Sequence, residues 1–135
     1  MKKILVTAML VFTSVALFAQ ENSQALGILR NARYVYVTSY DGSQWDMNLL
    51  SEDRVAISTV QDAIRRSGKY ALVYEPRNAD MIIAVTSRGS EDVLAVYDAR
   101  RPSSYLWRVM GRGGLDKVEA PFMKKFLDQM AKFGK

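Results

Sequence analysis

Three glycines and two arginines near position 110 form the segment of this chain that first suggests ligand chemistry. Gly111-Arg112-Gly113-Gly114 follows an apolar stretch that contains Arg108. Consecutive glycine N–H groups can form a concave nest for an anion, and the guanidinium groups would supply charge. The segment lacks the lysine and the spacing of a nucleotide-binding P-loop. We expect either a weak anion site at Arg108, Arg112 and Gly113, or a strand exit in which glycine adopts positive φ.

Acid–base chemistry lacks its commonest general base in this chain, because the sequence contains no histidine, and cysteine is absent as well. This composition excludes a Ser-His-Asp triad, a cysteine nucleophile and thiolate metal ligands. No spacing among the acidic residues fixes a facing pair for hydrolysis or a calcium loop. We therefore predict no catalytic residue, metal or cofactor, with a carboxylate-based hydrolase as the least favoured alternative. The acidic candidates for that alternative are Asp41, Asp46, Glu91, Asp92 and Asp98.

Aromatic side chains recur at alternate positions of several predicted strands, which places them on one face of a sheet. Parity puts Tyr105, Trp107 and Val109 on this aromatic face, and Leu106 and Met110 on the aliphatic face. A tyrosine ring packs while its hydroxyl stays hydrated, so the face suits a small ligand, a glycan or a second subunit. The alternative is a half-exposed sheet with ordinary cross-strand aromatic pairs. The binding candidates are Tyr34, Tyr36, Tyr74, Tyr97, Tyr105 and Trp107.

Basic residues beside these aromatics raise the question of nucleic acid. Arg100, Arg101, Arg108 and Arg112 could contact phosphates while aromatic rings stack on bases. The formal net charge of +5 includes two lysines at the amino terminus. Without those lysines, 17 basic and 14 acidic residues remain, a net charge of +3. This surplus is small for a phosphate-binding surface, so we predict no nucleic-acid partner.

Hydrophobic periodicity predicts strands at 33–40, 70–75, 81–85, 93–98 and 105–110. A helix is predicted from Ser51, as its N-cap, through Arg66, with Gly68 as the C′ residue. A closing helix begins at Pro121, which suits a first turn. Residues 24–31 are expected to form a short helical turn, and 99–104 a hairpin loop longer than two residues. The continuously apolar strand at 81–85 is typical of a central strand covered on both faces.

The element order predicts an α/β (α+β) fold, a two-layer sandwich with helices on one face of a mixed sheet. The sheet has about five strands and two helices in the order β-α-β-β-β-β-α. The βαβ unit favours a parallel pair with a right-handed crossover, and the short later connections favour antiparallel neighbours. Both helices are expected on the aliphatic face. The aromatic face is then either open or covered by the amino-terminal segment, by the loop that contains Trp45 or by a second subunit. The expected organisation is an amino-terminal segment at 20–32 and a single domain at 33–135.

The amino terminus has the pattern of a signal peptide. Lys2 and Lys3 precede an apolar run from Ile4 to Ala19, and polar residues follow at once. The run is shorter than the roughly 20 residues of a membrane span, and no basic stop-transfer cluster follows it. We therefore predict a signal peptide at 1–19, a periplasmic or secreted location, and no stable membrane anchor after cleavage.

Several short motifs within roughly residues 33–130 carry a family resemblance. The motifs are Gly68-Lys69-Tyr70, Asn78-Ala79-Asp80, Leu94–Asp98, Leu106-Trp107, Gly114-Leu115, and a closing helix with Phe122, Phe126 and Leu127. In these motifs the chain resembles small secreted bacterial domains of uncharacterised function, of the acidobacterial type. At fold level it is similar to the amino-terminal domain of the Tol–Pal translocation protein and to the curli-secretion lipoprotein family, although it lacks a lipidation cysteine.

The resemblance implies a mixed sheet with helices and a role in protein contacts within the envelope rather than catalysis. Together with the export pattern and the missing residue types, it favours a non-enzymatic envelope domain. Such a domain would mediate protein–protein interaction or self-association, for example as a homodimer. The alternative function is small-ligand or glycan binding through the aromatic face of the sheet.

Overall fold

A computed structural model describes residues 25–115 and 120–133 of the 135-residue chain, so the predicted signal peptide at 1–19 lies outside the described residues. The predicted order of strands and helices is confirmed, and the helical turn expected at 24–31 is present as a helix at 25–31. The elements are α1 (helical residues 25–31), β1 (Tyr34–Ser39), α2 (Ser51–Ser67), β2 (Ala71–Leu72), a 3₁₀ turn (Pro76–Asn78), β3 (Met81–Ser87), β4 (Asp92–Asp98), β5 (Arg101–Gly111) and α3 (Pro121–Phe133).

The five strands form one mixed sheet in the order β2-β1-β3-β4-β5. Strand β1 is parallel to both of its neighbours, β2 and β3. Strands β3, β4 and β5 are joined by short connections and are therefore antiparallel. The predicted mixed sheet with helices on one face is confirmed, and among the described residues no helix packs on the other face.

Helix α2 follows the predicted apolar stripe, since Ala56, Ile57, Val60, Ala63 and Ile64 are buried. The helix ends at Gly68, whose φ of 66° lies in the left-handed region that glycine adopts at low cost. The predicted N-cap is wrong by one residue. Leu50, not Ser51, holds that position, its carbonyl accepts the N–H of Arg54, and no side chain caps the helix.

Strand β2 is much shorter than predicted, with two residues instead of six. It pairs with β1 through Ala71 and Leu72, and the N–H of Val73 extends the ladder to the carbonyl of Val35. Pro76, which lacks an N–H donor, then begins the 3₁₀ turn. An edge strand with a single neighbour gains few ladder hydrogen bonds, so an apolar pattern alone did not hold residues 73–75 in the sheet.

The hairpin between β4 and β5 turns in two residues, which contradicts the longer loop predicted at 99–104. Asp98 pairs with Arg101, and its carboxylate accepts the N–H of Arg100 at 3.0 Å. An aspartate that binds the backbone two residues later stabilises a tight turn, and this interaction closes the hairpin early. The pairing then shifts register on either side of Tyr97, so β5 contains more residues than β4 over the same length.

A single hydrophobic core lies between the sheet and the helices. Strand β3 is central, as predicted, but it is covered on one face only, because all three helices contribute to the same core. Phe126 of α3 shows this arrangement, since its ring lies 5.9 Å from that of Tyr70 and 6.0 Å from that of Trp107. The fully buried large side chains are Phe126, Ile57, Ile64, Met81, Ile83, Leu94, Met123, Val35, Val37, Val60, Val85 and Val96.

Candidate functional site

The sheet face opposite the helices carries most of the predicted aromatic candidates. Directly opposed residues of neighbouring strands share a face, so the register defines rows across this open side. Tyr34 lies on the same side, opposite Ala71 of β2. The rows are Tyr36–Ile82–Tyr97–Tyr105, then Thr38–Ala84–Ala95–Arg108, then Thr86–Val93–Met110.

Two tyrosines form a bridge across this face. The hydroxyl oxygens of Tyr40 and Tyr97 lie 2.7 Å apart, and their rings make an edge-to-face contact at 6.2 Å between centroids. The small residues Ala84 and Ala95 of the middle row are buried, although the helices of the described residues pack on the other side. Burial and the hydrogen bond to Tyr97 both raise the pKa of Tyr40 above the ordinary tyrosine value. Tyr40 was not among the predicted binding residues, because only the cross-sheet geometry links it to Tyr97.

Arg108 supplies the only charge in the three rows. Its guanidinium carbon lies 5.7 Å from the centroid of the Tyr105 ring, within the range of a cation–π contact. Within residues 25–115 and 120–133, Arg108 forms no ion pair. We call Tyr36, Tyr40, Tyr97, Tyr105 and Arg108 the tyrosine face.

Trp107 does not belong to this face, and the predicted parity of β5 is wrong from that residue onward. Trp107 and Val109 pair with Val96 and Leu94 on the helix-covered side, where Trp107 packs against Phe126. At the register shift, Leu106 is an extra residue of β5 between the pairs that Tyr105 and Trp107 form with β4. One extra residue moves every later side chain of the strand to the opposite face from the one that simple alternation predicts.

Tyr74 also lies away from the tyrosine face. Its hydroxyl accepts a hydrogen bond from Arg65 of α2 at 2.9 Å. Leu72, two residues earlier, packs against the core on the same side of the sheet. Tyr74 therefore ties the end of β2 to the helix layer.

The glycine-rich strand exit is occupied by contacts within the chain. The N–H of Leu115 donates to the buried carboxylate of Asp92 at 2.9 Å, so an internal anion already uses this donor. Gly113 has φ of 71°, as the strand-exit alternative requires. Gly114 lies directly against the Phe122 ring, so a side chain at this position would collide with that ring. Arg112 is exposed in the turn, whereas Arg108 lies over Tyr105.

An exposed apolar surface lies on the loop between β1 and α2. Trp45 is 70% exposed and Met47 is 93% exposed, and Leu50 and Val55 are also exposed. We call these four residues the Trp45 surface. Trp45 lies between the predicted strand at 33–40 and the predicted helix from Ser51, in a segment without the periodic pattern that would mark an exposed tryptophan as a binding residue.

The backbone beneath the Trp45 surface is fixed by side chains of α2. The Arg54 guanidinium donates to the carbonyls of Gln44 and Asp46 at 2.8 and 2.9 Å. The Gln61 side-chain amide donates to that of Gln44 at 2.8 Å, and the Asp46 carboxylate accepts the N–H of Asn48. The loop therefore presents its apolar side chains from an ordered scaffold.

A buried carboxylate lies where β3 ends and α2 begins. Asp53 is fully buried, and its Oδ1 accepts hydrogen bonds from the Ser87 N–H at 2.9 Å and from Arg88 at 2.7 Å. The other arm of Arg88 binds Asp41 at 2.6 Å. The second oxygen of Asp53 has no hydrogen-bond partner among the described residues. Asp53 and Arg88 were not among the predicted site residues, because they are 35 positions apart and no local pattern connects them.

The remaining acidic candidates have structural roles or lie alone. Asp46 and Asp98 bind backbone N–H groups of their own turns. Asp92 accepts hydrogen bonds from the Ser87 hydroxyl and the Leu115 N–H. Asp41 approaches another carboxylate only through the guanidinium of Arg88. Among the described residues, no group of three or more acidic side chains is arranged to hold a metal ion.

Comparison with known proteins finds similarity among solved structures. No family model and no curated protein matches the chain. Among solved structures, a PelC dodecamer from Paraburkholderia phytofirmans is similar, with 16% sequence identity and a TM-score of 0.47. The match covers 75% of this chain and 90% of the PelC chain.

Within the described residues, no helix has the length and apolar character needed to cross a membrane.

Proposed function

We propose that this protein is an exported, non-enzymatic domain of the cell envelope that binds protein, either a second copy of itself or another envelope protein, through the Trp45 surface. The observation that carries the proposal is the exposure of Trp45 and Met47 on a loop that Arg54 and Gln61 hold in place. The apolar leader pattern at 4–19 supports export.

The composition of the Trp45 surface supports protein binding. Tryptophan and methionine are enriched at protein interfaces, and tryptophan is among the residues that most often dominate binding energy. Leu50 and Val55 extend the apolar area along the chain to the first turns of α2. Because the loop is already ordered, it would lose less conformational entropy on binding a partner than a flexible segment would.

The non-enzymatic part of the proposal rests on the residue types and on their partners. The chain has no histidine, which is the commonest general base, and no cysteine. Asp46, Asp92 and Asp98 are occupied by backbone hydrogen bonds. The resemblance to secreted envelope domains, stated above from the sequence motifs, favours the same interpretation.

The test is site-specific photo-crosslinking of the full chain in its own cells. A photoreactive amino acid at position 47 should give a discrete crosslinked product, because this side chain is almost fully exposed on the Trp45 surface. The matched control places the same amino acid at Lys124, an exposed residue of α3, where no discrete product is expected. Mass spectrometry of the product tells a second copy from another envelope protein.

The double substitution Trp45→Ser and Leu50→Ser should abolish the crosslink from position 47 without unfolding the domain, because both side chains are exposed. Circular dichroism and thermal melting check the fold of the variant. Sedimentation velocity of residues 20–135 at several concentrations measures self-association directly. A chain that stays monomeric and gives equal, diffuse crosslinking from positions 47 and 124 contradicts the proposal.

A further inference from the structure

We propose a second, separate binding site on the tyrosine face, which takes an acidic glycan, that is, a carbohydrate chain with carboxylate groups such as uronic acid residues. The site lies on the open side of the sheet, whereas the Trp45 surface lies on the loop before α2. The inference goes beyond protein binding and does not depend on it.

The ring faces of the tyrosines give the site its shape. Tyr105 is 55% exposed and Tyr40 is 47% exposed, so both rings offer a wide apolar surface to solvent. The face of an aromatic ring carries partial negative charge, which attracts the slightly positive C–H groups of a sugar ring. The Tyr40–Tyr97 hydrogen bond fixes two of these rings relative to each other, so the surface is formed before a ligand arrives.

The hydroxyl groups distinguish this surface from a protein-binding patch. Tyr36, Tyr97, Tyr105 and Thr86 of the three rows carry hydroxyls, and Tyr40 adds another. The Thr38 hydroxyl, by contrast, already donates to the carbonyls of Ser39 and Gly42. A hydroxyl both donates and accepts hydrogen bonds, which matches the alternating donors and acceptors of a sugar. Protein interfaces are instead centred on apolar anchors that become fully desolvated, as the Trp45 surface offers.

The charge of the site selects an acidic sugar. Arg108 is the only charged residue in the three rows, and it makes no ion pair within the described residues. The ring of Tyr105 lies 5.7 Å from its guanidinium and helps to place it. A guanidinium binds a carboxylate through two parallel hydrogen bonds, so an acid group on a sugar stacked over Tyr105 would meet a fitting donor.

The experiment compares two sugars that differ only in charge. A hexamer of galacturonic acid and its fully methyl-esterified form have the same backbone, and each is titrated into the full mature chain by NMR and calorimetry. We expect the acid hexamer to bind at least about tenfold more tightly than the ester, which is the scale of one charge-assisted hydrogen-bonded pair. Shifted amide signals should lie in β1, β4 and β5.

Three variants separate the contributions. Arg108→Gln should remove the preference for the acid form, whereas Arg112→Gln removes the same charge from the exposed turn and should leave the preference intact. Tyr105→Ala should weaken binding of both sugars, because it removes a stacking surface that does not depend on the acid group. Trp45→Ser should change neither affinity, which keeps this site distinct from the protein-binding surface.

Several results would overturn the inference. Equal affinity of Arg108→Gln and Arg112→Gln for the acid hexamer would show that no specific guanidinium reads the charge. Equal binding of a glutamate hexapeptide would show simple attraction between opposite charges. Absence of binding at millimolar sugar, or protection of the tyrosine face by a second copy of the chain, would assign this face to another role.

Discussion

The two faces of this sheet are built from adjacent residues of the same strands, yet they have different chemistry. Val37, Ile83, Val96 and Trp107 form one row beneath the helices. The neighbouring row, one residue further along β1 and β3, is Thr38, Ala84, Ala95 and Arg108 on the open side. The covered row is aliphatic and aromatic and joins one core, whereas the open row has a hydroxyl, a charge and two small residues.

This difference separates stability from recognition within a single sheet. Burial of apolar area on the covered face supplies the main favourable term in folding. The open face leaves aromatic rings and hydroxyls in contact with solvent, where they add little to folding but are available to a ligand. Equal truncations on the two faces should therefore have very unequal effects on the free energy of unfolding, and the following predictions test that expectation from the largest effect to the smallest.

The largest effect is expected from Phe126→Ala on the covered side. Phe126 is fully buried and contacts both Tyr70 and Trp107, so truncation leaves a cavity at the meeting point of α3 and the sheet. The expected loss is about 3–5 kcal/mol of unfolding free energy. The matched change on the open side, Tyr105→Ala, should cost no more than about 0.5 kcal/mol. Urea denaturation of both variants measures the difference, and similar losses would show that the open face also supports the fold.

The contrast between β1 and β5 shows how much of the fold could be predicted from the sequence. Alternation in β1 correctly separated Val35 and Val37 from Tyr34 and Tyr36, because β1 is paired on both sides without irregularity. The same rule failed in β5, since the register shift beside Tyr97 moved Trp107 to the core. A bulge depends on cross-strand pairing and leaves no reliable mark in a local pattern.

The site residues show the same contrast between what a local sequence pattern predicts and what depends on contacts between distant residues. Tyr34, Tyr36, Tyr97 and Tyr105 could be assigned to one face from strand parity alone. The Asp53–Arg88 contact joins residues far apart in sequence, and no periodicity connects a helix start to a strand end. Composition was sufficient to exclude histidine and cysteine chemistry, but only the folded chain shows which carboxylates are already engaged.

The second-largest effect is expected where the covered face meets solvent, at Arg88→Ala. This change leaves the buried Asp53 carboxylate with the Ser87 N–H as its remaining hydrogen-bond donor among the described residues. Removal of one partner from a buried ion pair costs about 3–5 kcal/mol of unfolding free energy. Because Arg88 is partly exposed, the expected loss lies near the lower value. Chemical denaturation measures the loss, and Arg112→Ala serves as an exposed control.

A second substitution tests the cause of that loss. Asp53→Asn in the Arg88→Ala background removes the uncompensated charge while keeping a similar shape. The double variant should therefore be more stable than Arg88→Ala alone. If it is less stable, the contribution of Arg88 comes from packing or from its bond to Asp41 rather than from neutralising Asp53.

An intermediate effect is expected from Gly114→Ala, at the exit of β5 on the covered side. An added Cβ would collide with the Phe122 ring, which is buried in the first turn of α3. Overpacking of this kind costs about 1–3 kcal/mol. Phe122→Leu alone should also destabilise the protein, but the double variant should lose less than the sum of the two single losses. Additive losses from thermal or urea melts would locate the strain elsewhere.

The smallest effect is expected on the open side, from Tyr40→Phe. This substitution removes one partly exposed hydrogen bond to Tyr97, so the expected loss of unfolding free energy near neutral pH is about 0.5–1 kcal/mol.

The pKa of Tyr40 is raised in the folded protein by burial and by Tyr97. Its contribution is therefore complete below the unfolded value, near pH 10, and is lost as the pH rises toward the folded value. The stability difference between the natural chain and Tyr40→Phe should shrink above about pH 10, as urea denaturation at pH 8 and pH 10.5 would measure. A difference that grows with pH would mean that the ionised phenolate is the form held by this face, in which case Arg108, whose charge favours that form, would dominate the local electrostatics.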